Sequence, residues 1–311
     1  MNKLVSIIIP AHNEEDNIIV IIDRVEKVFH SLHYDFEILL IDDGGTDNTL
    51  EIIEELAKTR NNLFYIELSR NFGHQPALKA GLDYAKGDCV ISLDADLQHP
   101  PEMFKQMLEK WEEGYEIVYT RRKEDKRISR KKRKYSLYFY KLLNMLSDIE
   151  IEPGTADFRL MDRRAVEALR GLKENDLFIR GLVKWIGFKL FAIDYVPDER
   201  FAGSSKYNIS KMRRLAIHGV TSLTTKPLHT AIYLGFFFSG LSFLYIPYIL
   251  YSFYLGKHIS GWASLISTLV FFGGLQLIIL GIIGIYVGKM FMGTKNRPNY
   301  FVRSTNINRL F

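Results

Sequence analysis

Cysteine is almost missing from this 311-residue chain, which has only Cys89. No internal disulfide and no Cys-rich zinc site can form, so a stapled secreted domain is excluded and a cytosol-facing chain is expected. A secretory leader is also missing. Met1–Pro10 has one lysine and a short apolar run, Leu4–Ile9 interrupted by Ser6. It lacks the longer apolar core and small-residue cleavage site of a signal, and reads as a buried first strand. The third shortage is local: from Ala231 to Val287, 57 residues carry one formal charge, Lys257, although the chain holds 41 Lys and Arg against 36 Asp and Glu. A mean hydropathy of -0.04 therefore averages two unlike parts, a soluble domain and a membrane anchor. With 47% apolar and 25% charged residues, disorder is excluded.

Two apolar stretches, Ala231–Leu255 and Ala263–Val287, are each long enough to cross a hydrocarbon core of roughly 30 Å. Lys206, Lys211, Arg213, Arg214 and Lys226 precede the first, Lys289, Lys295 and Arg297 follow the second, and the loop Gly256–Trp262 holds one lysine. The positive-inside rule puts both termini in the cytoplasm of a multi-pass plasma-membrane protein. The expected parts are a cytoplasmic domain over 1–208, a juxtamembrane amphipathic helix over 209–229, two membrane helices over 230–288 and a cytoplasmic tail over 289–311. The spans hold no Asp, Glu or Arg, which favours anchoring over translocation. Gly273, Gly274, Gly281, Gly284 and Gly288 offer small-residue surfaces for helix packing, including packing between subunits of a homo-oligomer.

Two further segments read as interfacial. Ile209, Met212, Leu215, Ala216, Val220 and Leu223 share a helical face. Upstream, Arg121–Lys134 holds ten basic and two acidic residues and runs into Tyr135, Tyr138, Phe139, Leu142, Leu143 and Leu146. A basic amphipathic helix, about 127–147, can lie in the headgroup region and attract anionic lipid; a solvated basic helix or a subunit contact is the alternative reading. Nucleic acid is rejected as a partner because no recognised binding motif accompanies the basic run.

Strand-like runs at Phe36–Ile41, Leu63–Leu68, Cys89–Leu93 and Ile117–Thr120 alternate with helical patterns over Glu14–Leu32, Thr46–Arg60, Gln75–Lys86 and Pro101–Glu113. The class is α/β, a mostly parallel sheet with helices on both faces. Such sheets bind ligands beyond the carboxyl ends of their strands, where three polar clusters fall. Asp94-Ala95-Asp96 follows a buried strand, and in an extended segment alternate residues point to one side, so both carboxylates can share a cation with Gln98 next in the series. Hard oxygen ligands suit Mg²⁺ or Mn²⁺. Asp42 and Asp43, followed by Gly44 and Gly45, could accept hydrogen bonds from a base or ribose, while Thr46 or Asp47 caps the next helix. Pro10, His12, Asn13 and Glu14 supply a third edge, with Glu14 a candidate ribose or base contact.

Together these clusters resemble a family-two glycosyltransferase of GT-A (Rossmann-like) type, with its Pro-x-x-Asn-Glu opening, Asp-Asp-Gly-Ser-x-Asp turn and Asp-x-Asp-x-Gln metal site. Gly45 stands where the family usually has serine, and His12 where it often has an aromatic residue. The lost hydroxyl leaves a catalytically silent membrane scaffold as an alternative. Gly154–Asp162 and Arg200–Tyr207 resemble segments of the polyprenyl-phosphate glycosyltransferases, which include dolichol-phosphate mannose synthases and the bactoprenol glucosyltransferases of the GtrB type. No Gln-x-x-Arg-Trp segment of processive polysaccharide synthases is present.

The resemblance implies inverting transfer of a hexose, glucose from UDP-glucose, to undecaprenyl phosphate, with GDP-mannose or another nucleotide sugar as alternative donors. It implies a metal on Asp94, Asp96 and Gln98, and a donor site drawing on Pro10, His12, Asn13, Glu14, Asp42, Asp43, Arg70, Asp94, Arg200 and Lys206. Arg130, Lys132, Arg133 and Ser136 are candidates for the acceptor phosphate. Asp157 resembles the position where inverting members place a base. A phosphate monoester with second pKa near 6 is already nucleophilic at neutral pH, so Asp157 could instead orient the acceptor or organise Arg159.

Overall fold

A strand that is apolar at every position must be buried on both faces, because alternate residues point to opposite sides. In β1 (Leu4–Ala11), Val5, Ile7 and Ile9 join one core and Ile8 the other. In β2 (Asp35–Asp42), Ile38 and Leu40 join the first, Leu39 and Ile41 the second. Against the first face lie α1 (Ile18–Phe29), α2 (Thr49–Thr59) and α4 (Phe104–Glu112), with Ile18, Ile21, Ile22, Val25 and Phe29 forming the inward stripe of α1. Against the second lie α3 (His74–Tyr84), α5 (Arg163–Gly171) and α6 (Ile179–Trp185). Each fully buried Ile or Leu contributes about 1.5–3 kcal/mol, so the two layers hold the sheet rigid beneath its loops.

The computed structural model describes residues 2–122, 144–145, 152, 154–174, 177–196, 224–255 and 261–307. The other strands are β3 (Leu63–Leu68), β4 (Cys89–Ser92), β5 (Ile117–Arg122), β6 (Thr155–Asp162), β7 (Leu190–Tyr195) and β8 (Val302–Thr305), in sheet order β7-β5-β6-β4-β1-β2-β3-β8. Strands β1 to β4 are mutually parallel, β6 runs antiparallel between β4 and β5, and β8 runs antiparallel along the β3 edge. The helix expected from Pro101 begins as a 3₁₀ turn, Pro101–Met103, before α4.

Two long helices follow, α7 (Lys226–Tyr254) and α8 (Trp262–Thr294), with outward apolar side chains such as Phe236, Phe243, Leu269 and Leu277. Within the described residues, Ser264–Thr294 is long and apolar enough to cross a membrane. The second expected span, on α7, is not established by the same measure. Of the basic helix expected over 127–147 only 144–145 are described, as helix, and most of the juxtamembrane segment 209–229 lies outside the described residues.

The expected tail contributes an edge strand to the sheet. Arg303 and Ser304 donate to Glu67 at 2.9 and 2.8 Å, Asn306 accepts from the Tyr65 N–H at 2.8 Å, and the Tyr300 hydroxyl donates to Asp83 at 2.9 Å. The chain thus leaves the domain after β7, runs through α7 and α8, and comes back into the sheet.

Candidate active site

The sheet order reverses at β1, whose neighbours are β2 on one side and β4 on the other. Loops leaving the carboxyl ends of β1, β2 and β4 therefore converge on one crevice. Asn13 takes a left-handed backbone, φ 58°, a conformation Asn tolerates, and its Oδ1 accepts the Thr46 N–H at 2.8 Å. That bond ties the β1 loop to the β2 loop. Glu14 accepts from Asn17 Nδ2 at 2.6 Å and Pro10 is buried within β1.

Asp42 and Asp43 are buried, and burial pushes both carboxyls above the usual range against the backbone N–H groups that favour ionisation. Asp42 receives the Gly45 N–H on both oxygens, at 3.3 and 3.2 Å. Asp43 receives Phe72 N–H at 2.7 Å and Gly73 N–H at 2.9 Å, one on each oxygen. It clamps the β2 loop to the β3–α3 loop. His12 reinforces the clamp: Nδ1 must donate to the Asp43 carbonyl at 3.0 Å, and Nε2 faces Asn71 Nδ2 at 3.0 Å. Arg70 is exposed and folds over Phe72, 4.0 Å from the ring centroid.

The third loop departs from the extended form expected of it. β4 ends at Ser92, and Asp96 Oδ1 accepts the Gln98 N–H at 3.2 Å in a turn containing Leu97 at φ 61°. A left-handed leucine costs about 1–2 kcal/mol, which the burial of its side chain offsets. Even so, Asp94, Asp96 and Gln98 are half-exposed while Leu93, Ala95, Leu97 and His99 are buried. Oδ1 of Asp94 is buried without a hydrogen-bond partner. A buried carboxylate oxygen that accepts no hydrogen bond suits a cation, and the nearest one here is His74 Nε2, 3.5 Å away.

His99 holds this loop from beneath. The Asp94 N–H donates to its Nδ1 at 3.0 Å, so that nitrogen carries no proton, in keeping with a pKa lowered by burial. Its ring stacks on Phe158, centroids 5.0 Å apart.

Asp157, on β6, is the hub of the charged centre and only 2% exposed. Arg159 donates to one oxygen at 2.7 Å, and Arg180 donates Nε and an Nη to the other at 3.0 and 2.7 Å. Gln75 donates to the latter oxygen at 3.4 Å and accepts the Ile179 N–H at 3.0 Å, linking the start of α6 to the carboxylate. Burial opposes ionisation of Asp157, but Arg180, His74 and Arg159 outweigh it and hold the carboxyl well below its usual range. His74 Nε2 lies 3.5 Å from Asp94 Oδ1 and 3.4 Å from Asp157 Oδ2. Burial opposes its charge too, yet Asp94 and Asp157 push it up to about 9.

Sequence reasoning missed His74, Gln75, His99 and Arg180. Only His74 and His99 carried a signal, lying next to segments already singled out; nothing local distinguishes Arg180. Arg130, Lys132, Arg133, Ser136, Arg200 and Lys206 lie outside the described residues.

Residues 6–170 match the model of Glycosyl transferase family 2. The chain is a family 2 glycosyltransferase. This glycosyltransferase is 43% identical to YkcC of Bacillus subtilis, an uncharacterised glycosyltransferase, over 301 residues that cover 96% of this chain and 93% of the relative. It is 40% identical to a prophage-derived bactoprenol glucosyl transferase of Shigella flexneri over 303 residues, 97% of this chain and 98% of that one. Among solved structures, the mannosyltransferase PcManGT of Pyrobaculum calidifontis, in complex with GDP-Man and Mn²⁺, superposes with a TM-score of 0.50 at 19% identity, covering 71% of this chain and 64% of that one. That likeness shows the shared GT-A type fold.

Proposed function

We propose that this glycosyltransferase moves glucose from UDP-glucose onto the phosphate of a polyprenyl lipid, undecaprenyl phosphate, at the cytoplasmic face of the plasma membrane, inverting the anomeric carbon. One observation carries the reading: half-exposed Asp94, Asp96 and Gln98, with no hydrogen bond to Asp94 Oδ1, stand beside an Asp157 neutralised by two arginines. The near full-length likeness to proteins named bactoprenol glucosyl transferase supports the acceptor class.

The two carboxylates and the Gln98 amide oxygen would hold Mg²⁺ or Mn²⁺; His74 and His99 adjoin Asp94, but no three His, Cys, Asp or Glu side chains form a metal-binding group among the described residues. Such a sparse set suits a metal shared with substrate phosphates. Bound there, the ion would stabilise charge on the departing diphosphate. An acceptor phosphate oxygen forms the new bond to the anomeric carbon as the bond to the diphosphate breaks, the electron pair leaving with UDP. The acceptor is already an anion, so no proton need move, and a carboxylate held as low as Asp157 is a weak base. His12, Asn13, Asp42 and Asp43 shape the donor pocket mainly by fixing its three loops.

The return of β8 to the sheet supports the topology. Because β3 and β8 are hydrogen-bonded neighbours, the residues before α7 and after α8 belong on one side of the bilayer. An even number of crossings would then join them, which supports reading α7 as the partner span of α8.

Membranes holding the protein would be incubated with undecaprenyl phosphate, Mg²⁺ or Mn²⁺, and radiolabelled UDP-glucose, GDP-mannose and other nucleotide sugars. Lipid-soluble label from UDP-glucose alone is expected. Label from a different donor would correct the sugar, and none from any donor would leave the silent scaffold. Asp96→Asn should lower transfer on the order of 10²-fold or more while the protein stays folded.

A further inference from the structure

We propose that Arg180 binds a phosphate group at the transfer centre and that Asp157 serves as its positioning carboxylate. This deepens the transferase reading and rests on it. The acceptor phosphate and the donor diphosphate must approach the same carbon, and two anions can meet only where fixed cations offset their repulsion. Within the described residues, Arg180 meets the requirements of such a cation.

Its place is built by three elements. Ile179, Leu182 and Val183 bury α6 against the sheet, and Gln75 of α3 caps the Ile179 N–H while donating to Asp157. Asp157 of β6 then takes both Nε and Nη2 of Arg180 on a single oxygen. That pairing fixes the plane of the guanidinium, the geometry in which arginine recognises a second oxyanion. The Arg180 side chain keeps 31% of its surface open, against 1% for Arg159, the other arginine on this carboxylate. Arg159 is therefore buried with its carboxylate, whereas Arg180 is the arginine of the pair with surface in reach of solvent.

Asp157 takes its role from the same geometry. A base must have room for the proton it abstracts, but both oxygens of this carboxylate are already engaged by arginine N–H groups. Its exposed partners are Arg180 and His74.

The test uses full-length protein in lipid nanodiscs, with Arg180→Ala, Arg180→Lys and Asp157→Asn, each checked by thermal melting. Three readouts are needed: UDP affinity with Mn²⁺ by calorimetry, KM for undecaprenyl phosphate at saturating UDP-glucose, and the pH–rate profile. Arg180→Ala is expected to raise the acceptor KM about tenfold or more, the scale of one charge-assisted hydrogen bond, with UDP affinity unchanged and partial recovery in Arg180→Lys. A matching loss of UDP affinity with acceptor KM unmoved would also support phosphate binding and assign it to the donor. If neither moves, the proposal is overturned. Asp157→Asn should raise the same constant without changing the shape of the pH profile; loss of the acidic limb with KM unchanged would restore Asp157 as a base. Should wild-type protein use no polyprenyl phosphate at all, the transferase reading fails, and the UDP arm alone decides Arg180.

Discussion

His99 accepts the backbone N–H of Asp94 on Nδ1 at 3.0 Å while its ring lies stacked on Phe158. One buried imidazole thereby couples the Asp94–Gln98 loop to the β6 strand that carries Asp157. Replacing His99 by Phe keeps the stack and removes the acceptor. The expected cost is about 1–3 kcal/mol of stability and a roughly 10–100-fold weaker Mn²⁺ affinity, read by denaturant unfolding and by metal titration. An unchanged affinity would show that the loop holds its shape without this bond.

His74 gives the metal-free protein a pH signature. Its folded pKa, pushed up to about 9, exceeds its ordinary value, so the native state binds the proton more tightly than the unfolded chain does. The stabilisation is complete below about pH 6.5, declines above it, and is lost as pH rises through 9. The stability difference between wild type and His74→Gln should shrink over that window. A difference that stays constant from pH 6 to 9.5 would refute the ion-pair assignment.

The two glycines of the β2 loop should respond differently. A Cβ on Gly44 would sit 2.4 Å from the Arg70 carbonyl carbon, and its φ of 61° is left-handed. Gly44→Ala should therefore cost at least about 1–3 kcal/mol and disturb the loop that bears Arg70. At Gly45 the nearest atom is Asp42 Oδ1, 2.9 Å away, the end of a side chain. Gly45→Ser, which restores the residue usual in the family, should fold with a change below about 1 kcal/mol and keep its activity. Melting curves of both variants decide the matter, and equal losses would contradict the difference in their surroundings.

The two-crossing topology can be read with thiols, because the native Cys89 is buried. Trp262, at the start of α8, is 73% exposed. A Trp262→Cys variant should react with a membrane-impermeant maleimide on intact cells, whereas Asn2→Cys should react only after permeabilisation. Labelling of both from outside, or of neither, would rule out the paired spans.

Much of the architecture was written locally. Hydrophobic runs separated by helical periodicity specified the alternating strands and helices, and the clusters at Pro10–Glu15, Asp42–Asp47 and Asp94–Gln98 stand at strand ends that those runs define. Those signals survive because a buried strand, an amphipathic helix and a turn each impose their residue pattern over fewer than about twenty positions. Even there, the Asp94–Gln98 segment became a turn with a left-handed Leu97, a detail that depends on His99 and Phe158 beneath it.

The charged centre had no such pattern. Gln75, Asp157 and Arg180 come from α3, β6 and α6, and they meet only because β6 inserts antiparallel beside β4 while α3 and α6 cover one face of the sheet. Whether Asp157 is a base or an ion-paired anchor is a property of those neighbours, since burial and charge set a pKa and sequence spacing does not. The tail presents the same division. Composition marked two apolar segments, but the sheet placed β8 beside β3, 236 residues apart from Glu67 to Arg303. Local chemistry thus determined the elements and the polar clusters at their ends. Only long-range packing decided which cations surround Asp157 and that the chain returns to the sheet after α8.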